Sequence, residues 1–122
     1  DCSFVARAFV GNVPQTKEII KKAILHKGFA LVDIFQPCTV FNKINTYQWF
    51  KGKTYELEES HDTHDRIEAF RRAIETDRLP LGVFYENPHR KIFEKQLANH
   101  GALLYKHRVD AEKFRKLVES KA

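Results

Sequence analysis

Three apolar runs, at 3–9, 29–35 and 80–85, are separated by stretches of helical spacing, and this alternation constrains the fold more than any other feature. Gly11 and Pro14 close the first run. Thr16 is the expected N-cap of a helix over 17–26. Ile19, Ile20, Ala23 and Ile24 form its buried stripe, while Lys17, Lys21 and Lys22 face water. Gly28 supplies the left-handed residue that ends it. The second run is apolar except for Asp33, the pattern of a parallel strand covered on both faces.

Residues 37–57 are irregular. A helical turn over 45–51 and a hairpin around Gly52, pairing 49–50 with 54–57, are both compatible with the residues. A helix then runs from the Asp62-Thr63-His64-Asp65 segment to about 77, with Ile67, Phe70 and Ile74 on one face and Ala69 and Ala73 beside them. Pro88 suits the first turn of a helix ending near Gly101, and Asp110 caps a last helix with Phe114, Leu117 and Val118 as its apolar positions. The order predicts an α/β fold, a parallel sheet with flanking helices and right-handed crossovers, as one domain or fragment over 1–122. Three parallel strands make a narrow layer with open edges, so the sheet is expected to continue into neighbours.

Composition removes other classes. With 43% hydrophobic and 12% aromatic residues the chain is globular rather than disordered. No apolar run approaches the roughly 20 residues of a membrane span, and the N-terminal residues lack a signal-peptide pattern. Membrane is therefore not an expected partner. Cys2 and Cys38 are too few for a disulfide scaffold or a four-thiolate cluster within the chain, and fit a reducing cytoplasm. Met is absent even from position 1, as in a polypeptide trimmed or cut from a longer one. The net charge of +5 comes entirely from residues 89–122, a basic helical tail of nine basic and four acidic side chains; residues 1–88 are neutral. A neutral body and a tail with few interleaved aromatics exclude nucleic acid as the expected partner; the tail reads first as solvated helix faces, with a dock for a small acidic protein as the second reading.

Ligands of open α/β sheets lie beyond the carboxyl ends of the strands. Three loops qualify here: 10–15, 36–46 and 86–89. The second is richest, with Cys38, Thr39, Asn42, Asn45, Thr46 and Tyr47. Each also has a plain reading, in which Cys38 packs as a small apolar group and the Asn side chains satisfy loop backbone. Cys38 as a nucleophile needs a base or positive field, and the loop holds no His. His61 and His64 have metal-ligand spacing, but Asp62, Thr63 and Asp65 at a helix start are what capping requires, which is the stronger reading. The other histidines receive no role. No G-x-G-x-x-G, Walker loop or Gly-Asp-Gly…Asn diphosphate motif is present.

Taken in order, Ser3-Phe-Val-Ala-Arg7, His26-Lys-Gly-Phe-Ala-Leu-Val-Asp-Ile-Phe-Gln-Pro-Cys38, Phe41-Asn42, Asn45-Thr46-Tyr47, Leu57-Glu-Glu-Ser-His-Asp62 and Leu79-Pro-Leu-Gly-Val-Phe-Tyr-Glu86 resemble the β subunit of 2-oxoacid:ferredoxin oxidoreductases. The resemblance implies the C-terminal part of a thiamine diphosphate-binding fold. It also implies an enzyme that decarboxylates a 2-oxo acid, forms acyl-CoA and passes electrons through iron–sulfur (4Fe-4S) clusters to ferredoxin. The cofactor carries that chemistry and the protein orients it.

Thiamine diphosphate, Mg²⁺ and 4Fe-4S are implied for the complete subunit. Their ligands are expected upstream, in the missing N-terminal half of the β subunit, and none of them carries over to a residue here. Further implied partners are the α subunit, ferredoxin, the 2-oxo acid and CoA. No residue is assigned to catalysis or to metal. Cys38 and Asn42, leaving the carboxyl end of a central strand, are nominated as the wall next to the active site. The chain alone is expected to be inactive. The competing expectation is a small non-catalytic α/β binding module, monomeric and without an exposed apolar patch.

Overall fold

The first strand, β1 (Phe4–Phe9), carries the core. Alternation sends Phe4, Ala6 and Ala8 to one face, where Ile19 and Ala23 of helix α1 (Val13–Leu25) pack on them with Ala30, Val32 and Val83. The two alanines let the helix lie close to the sheet. The computed structural model describes residues 2–96, 106 and 108–121. These fall into two compact units, Asp1–Ile92 and Phe93–Ala122.

The first unit holds a four-stranded sheet of order β2-β1-β4-β3, with β2 at Ala30–Phe35, β3 at Thr54–Glu56 and β4 at Leu79–Glu86. Helix α2 (Tyr47–Lys53) precedes β3, and α3 (Arg66–Ala73) precedes β4. The α/β class with flanking helices is as expected, but the sheet is mixed. β1 and β2 are parallel and so are β3 and β4, whereas β4 runs antiparallel to β1, with Phe4 opposite Glu86 and a register shift between Val5 and Ala6. Strand direction depends on how the chain returns between elements, and no local apolar pattern encodes it. The fourth strand, β3, follows α2 directly and pairs with β4, so the hairpin around Gly52 does not form.

Several boundaries move for identifiable reasons. Asn12, not Thr16, caps α1: its Oδ1 accepts from the Gln15 N–H at 3.4 Å, and Pro14 occupies the first turn. Thr16 instead donates its hydroxyl to the Phe9 carbonyl at 2.9 Å, tying the helix to the end of β1. β2 is an edge strand rather than a strand covered on both faces, with Leu31 and Ile34 exposed. Its one charged residue is explained by register, since Asp33 lies opposite Arg7 and accepts from its Nε at 3.0 Å. On α3 the expected apolar stripe faces outward; Ile67, Phe70 and Ile74 are exposed and the small Ala69 is buried instead.

The second unit contains α4 (Phe93–Gln96) and α5 (Ala111–Glu119). The stretch expected to carry a helix on to Gly101 lies largely outside the described residues. α5 is capped as expected: the Asp110 carboxylate accepts from the Glu112 and Lys113 N–H groups. Among the described residues, no helix is long and apolar enough to cross a membrane.

Gly28 has φ +148°, and a Cβ there would stand 2.5 Å from Ser3 Oγ, which donates to the Phe29 carbonyl at 3.2 Å and lies 2.8 Å from His26 Nε2. Gly28→Ala should therefore lose about 1–3 kcal/mol through backbone strain and this clash. The expected result is a lower urea midpoint at unchanged slope; an unchanged midpoint would show that the turn relaxes freely.

Candidate functional site

Parallel pairing carries the ends of β1 and β2 to the same edge of the sheet, where the 10–15 and 36–46 loops lie together. The third loop does not join them. β4 runs the other way, and the Asn87 N–H donates to the Ser3 carbonyl at the start of β1, so 86–89 sits at the opposite end. The expected three-loop site is thus a two-loop site, built by β1, β2 and α2.

Aromatic packing fixes this edge. Phe50 of α2 stacks on both Phe9 and Phe35, with centroids 5.6 and 5.2 Å away, and Tyr47 meets Phe9 at 5.1 Å. Trp49 approaches Phe50 edge-on at 5.0 Å. Thr46 caps α2 by accepting from the Trp49 N–H. One helix turn thereby clamps the far end of the 36–46 loop onto the ends of two strands, in geometries that aromatic pairs favour. Beneath it the Arg7 guanidinium lies over the Phe35 and Phe84 rings, at 5.0 and 5.2 Å. Gly11 abuts the clamp, since a Cβ there would fall 2.2 Å from the Phe9 ring.

Within the loop, Asn42 and Cys38 have distinct tasks. The Asn42 side chain holds the backbone: its Oδ1 accepts from the Ile44 and Asn45 N–H groups and its Nδ2 donates to Asn45 Oδ1 at 3.0 Å. That matches the plain reading of the asparagine. Cys38 does not pack as a small apolar group; it is an exposed free thiol. The Phe41 N–H donates to its sulfur at 3.3 Å. That N–H, with those of Val40 and Asn42, holds the thiol below its ordinary range. Sequence patterns miss this because the stabilising groups are backbone donors gathered by a turn and no neighbouring side chain announces them.

The His61–Asp65 segment serves the fold. The Asp65 carboxylate accepts from the Ile67 and Glu68 N–H groups, and His61 Nε2 bonds the Phe84 carbonyl at 2.9 Å. Among the described residues no three His, Cys, Asp or Glu side chains are grouped to hold a metal ion. A cavity of about 320 Å³, which sequence reasoning does not foresee, lies where β1 begins and β4 ends. Val5, Ala69 and Phe84 form its apolar floor, and Arg66 and Asn87 also line it.

Two parallel strand ends close on one thiol-bearing, aromatically clamped loop in a domain of the α/β class. Residues 38–101, beginning at Cys38, match the family described as the C terminal of the pyruvate ferredoxin oxidoreductase beta subunit. The chain is 38% identical over 115 residues to a 2-oxoacid:ferredoxin oxidoreductase subunit beta of Sulfolobus sp, covering 84% of this chain and 38% of that protein. It is 40% identical over 108 residues to 2-oxoacid:ferredoxin oxidoreductase 1, subunit beta, of Aeropyrum pernix, covering 79% and 34%. A solved 2-oxoglutarate:ferredoxin oxidoreductase from Magnetococcus marinus, with 2-oxoglutarate, coenzyme A and succinyl-CoA bound, superposes with TM-score 0.81 at 33% identity. It covers 94% of this chain and 40% of that one. The chain belongs to the 2-oxoacid:ferredoxin oxidoreductase β-subunit family, and spans a little over a third of the length of these curated relatives, in their C-terminal part.

Two expectations follow from the site. Cys38 should alkylate at a pH below that needed by a free cysteine thiol and ahead of the half-buried Cys2, as peptide mapping would read; a midpoint at or above the free-thiol value contradicts the backbone cradle. Gly11→Ala should push the Phe9 ring off Phe50 and change the emission of Trp49, the one tryptophan of the chain, whereas an unaltered spectrum means that the clamp absorbs a methyl group.

Proposed function

We propose that this chain serves as part of the β subunit of a 2-oxoacid:ferredoxin oxidoreductase, an enzyme that decarboxylates a 2-oxo acid with CoA to acyl-CoA and sends the electrons to ferredoxin. The observation that carries the reading is the family match over 38–101, which contains most of the 36–46 loop and all of α2, α3 and β4. The α subunit, ferredoxin and the rest of a β subunit are the partners this reading requires. Both cysteines are free, which suits a reducing cytoplasm.

The chemistry of the described residues limits what this part contributes. They offer no cluster of carboxylates for Mg²⁺ and no diphosphate-gripping glycine motif, so thiamine diphosphate and its metal do not fit here and no step is assigned through them. Cys38 is different. A sulfur held toward thiolate by backbone N–H groups, exposed at a sheet edge, has the donor chemistry of one ligand to an iron–sulfur cluster whose other cysteines come from outside these residues. This departs from the expectation that no cluster ligand falls in this chain. Such a cluster supplies one-electron transfer. The chain's own contribution is to hold the sulfur, through the Asn42-braced loop and the Phe9–Phe50–Phe35 clamp, at a fixed place.

The reading is tested on the enzyme purified with its companion subunits. Reduction of ferredoxin should require both a 2-oxo acid and CoA; no turnover with pyruvate, 2-oxoglutarate or a branched-chain 2-oxo acid would refute it. Cys38→Ser should lower bound iron and activity in that enzyme, with any fall in its unfolding midpoint following the iron lost. Full iron content in that variant would remove Cys38 from the ligand set.

A further inference from the structure

Arg7 stands where two strands and two aromatic rings meet. It lies on β1 directly opposite Asp33 of β2, with a side chain 19% exposed. The Asp33 carboxylate accepts its Nε–H at 3.0 Å, and that bond sets the plane of the guanidinium. The flat cation then lies over the Phe84 and Phe35 rings, 5.2 and 5.0 Å from their centroids.

The two rings are held with unequal firmness. Phe84 is 3% exposed, and His61 Nε2 bonds its carbonyl. Its aim comes from the register shift: Val5 faces Tyr85 and Ala6 faces Val83, which leaves Phe84 as the extra residue of a bulge, a device that redirects a side chain. Gly82, opposite Arg7, brings no side chain to compete for the space. Phe35, by contrast, is half-buried and ends an edge strand. The chain runs from it through Gln36 and Pro37 to Cys38. Its ring is also one of the two on which Phe50 stacks at the far end of the 36–46 loop. A fixed ring, a planar cation and a less fixed ring thus link the middle of the sheet to both ends of the loop that bears the thiol.

We propose that Arg7 is a positioning residue for Cys38: its guanidinium, oriented by Asp33 and seated on Phe84, holds the Phe35 ring and so sets where the 36–46 loop begins and closes. The inference rests on the function proposed above, in which the Cys38 sulfur is a cluster ligand, and adds a residue that acts on that sulfur through Phe35. Partners that orient a metal ligand from behind affect metal retention nearly as much as the ligands do.

The test uses the complete enzyme purified with its companion subunits. Hydrogen exchange of the main-chain amides is read by mass spectrometry, together with the rate at which an iron(II) chelator strips the enzyme. Arg7→Lys keeps the cation and removes the planar face. It should speed exchange over 38–46 and iron loss by about tenfold, while exchange over 4–9 and 79–86 stays as in the wild type. Arg7→Met should behave in the same way; if it fails to assemble, Arg7→Lys decides alone. Asp33→Asn can still accept from Nε and should stay close to the wild type on both readouts. Unchanged exchange over 38–46 overturns the proposal. Faster exchange spread evenly over the sheet also overturns it, because Arg7 then supports the whole fold and not the loop. So does a lysine variant indistinguishable from the wild type, or an Asp33→Asn variant as impaired as Arg7→Met, since charge and not the stacked plane is then the agent. Full iron in Cys38→Ser defeats the cluster reading and the inference resting on it. Iron lost in Cys38→Ser, with both readouts unmoved in the Arg7 variants, defeats only the role of Arg7.

Discussion

Phe50 lies against Phe9 and Phe35 at once, and that double stack converts a loop into a wall. β1 and β2 are held in parallel register by main-chain bonds, which align their ends but leave open where the following chain goes. Without the clamp, the stretch between Pro37 and Tyr47 would be a long surface excursion whose entropy opposes any fixed geometry. The clamp buries aromatic area at its far end, Asn42 satisfies its middle, and β2 fixes its beginning. Three local devices therefore set the position of one sulfur. Gly11 and Arg7 belong to the same arrangement, one by leaving room for the Phe9 ring and the other by lying over Phe35.

In a second constellation, geometry and burial point in opposite directions. Ser3, His26 and Glu86 stand in line, with Oγ 2.8 Å from Nε2 and Nδ1 3.7 Å from the carboxylate. The order resembles a hydrolytic triad, yet Ser3 is 1% exposed and its hydroxyl also lies 3.2 Å from the Phe29 carbonyl. With the oxygen buried and shared between the imidazole and a main-chain carbonyl, no substrate can approach it, and the three residues serve the fold. What the three residues accomplish is to fasten the start of β1, the end of α1, the entry to β2 and the end of β4 at one point. That also explains why residue 28 must be glycine, since a side chain there would strike the serine.

Periodicity makes the helices and the three longer strands legible, because burial of one face imposes a repeat of 2 or 3.6 on the residues. It also locates α5, whose Asp110 cap is a local signal. What escapes depends on partners distant in sequence. Whether β4 pairs up or down with β1 is decided by the path through α2 and α3. β3 is three residues long, too short to show any period. The stripe on α3 misleads because Ile67, Phe70 and Ile74 have the spacing of a core face while Ala69 is what touches the sheet. Local pattern reports that a face is apolar; it does not report what covers it. The Pro37–Thr46 loop is visible as a cluster of polar types, but Asn42 braces the turn and the Cys38 pKa is lowered by main-chain donors that have no letter in the sequence.

The same edge thus carries two features that are unfavourable for an isolated domain. An exposed thiol whose pKa is lowered by backbone N–H groups is open to oxidation, and large exposed apolar side chains invite unwanted association. A free-standing binding module would gain from removing both, by a serine at 38 and polar residues at 41 and 44, and neither change would disturb the core, since none of these positions is buried. Both sit on a loop rigidified by a carboxamide and clamped by aromatic rings. The contrast with the 61–65 segment is physical: there the polar side chains are spent on helix caps and main-chain bonds, with the Asp65 carboxylate on the Ile67 and Glu68 N–H groups and His61 on the Phe84 carbonyl. In the 36–46 loop the carboxamide of Asn42 does that work alone, which leaves the Cys38 thiol and the side chains of Phe41 and Ile44 at the surface of a turn whose backbone is already satisfied.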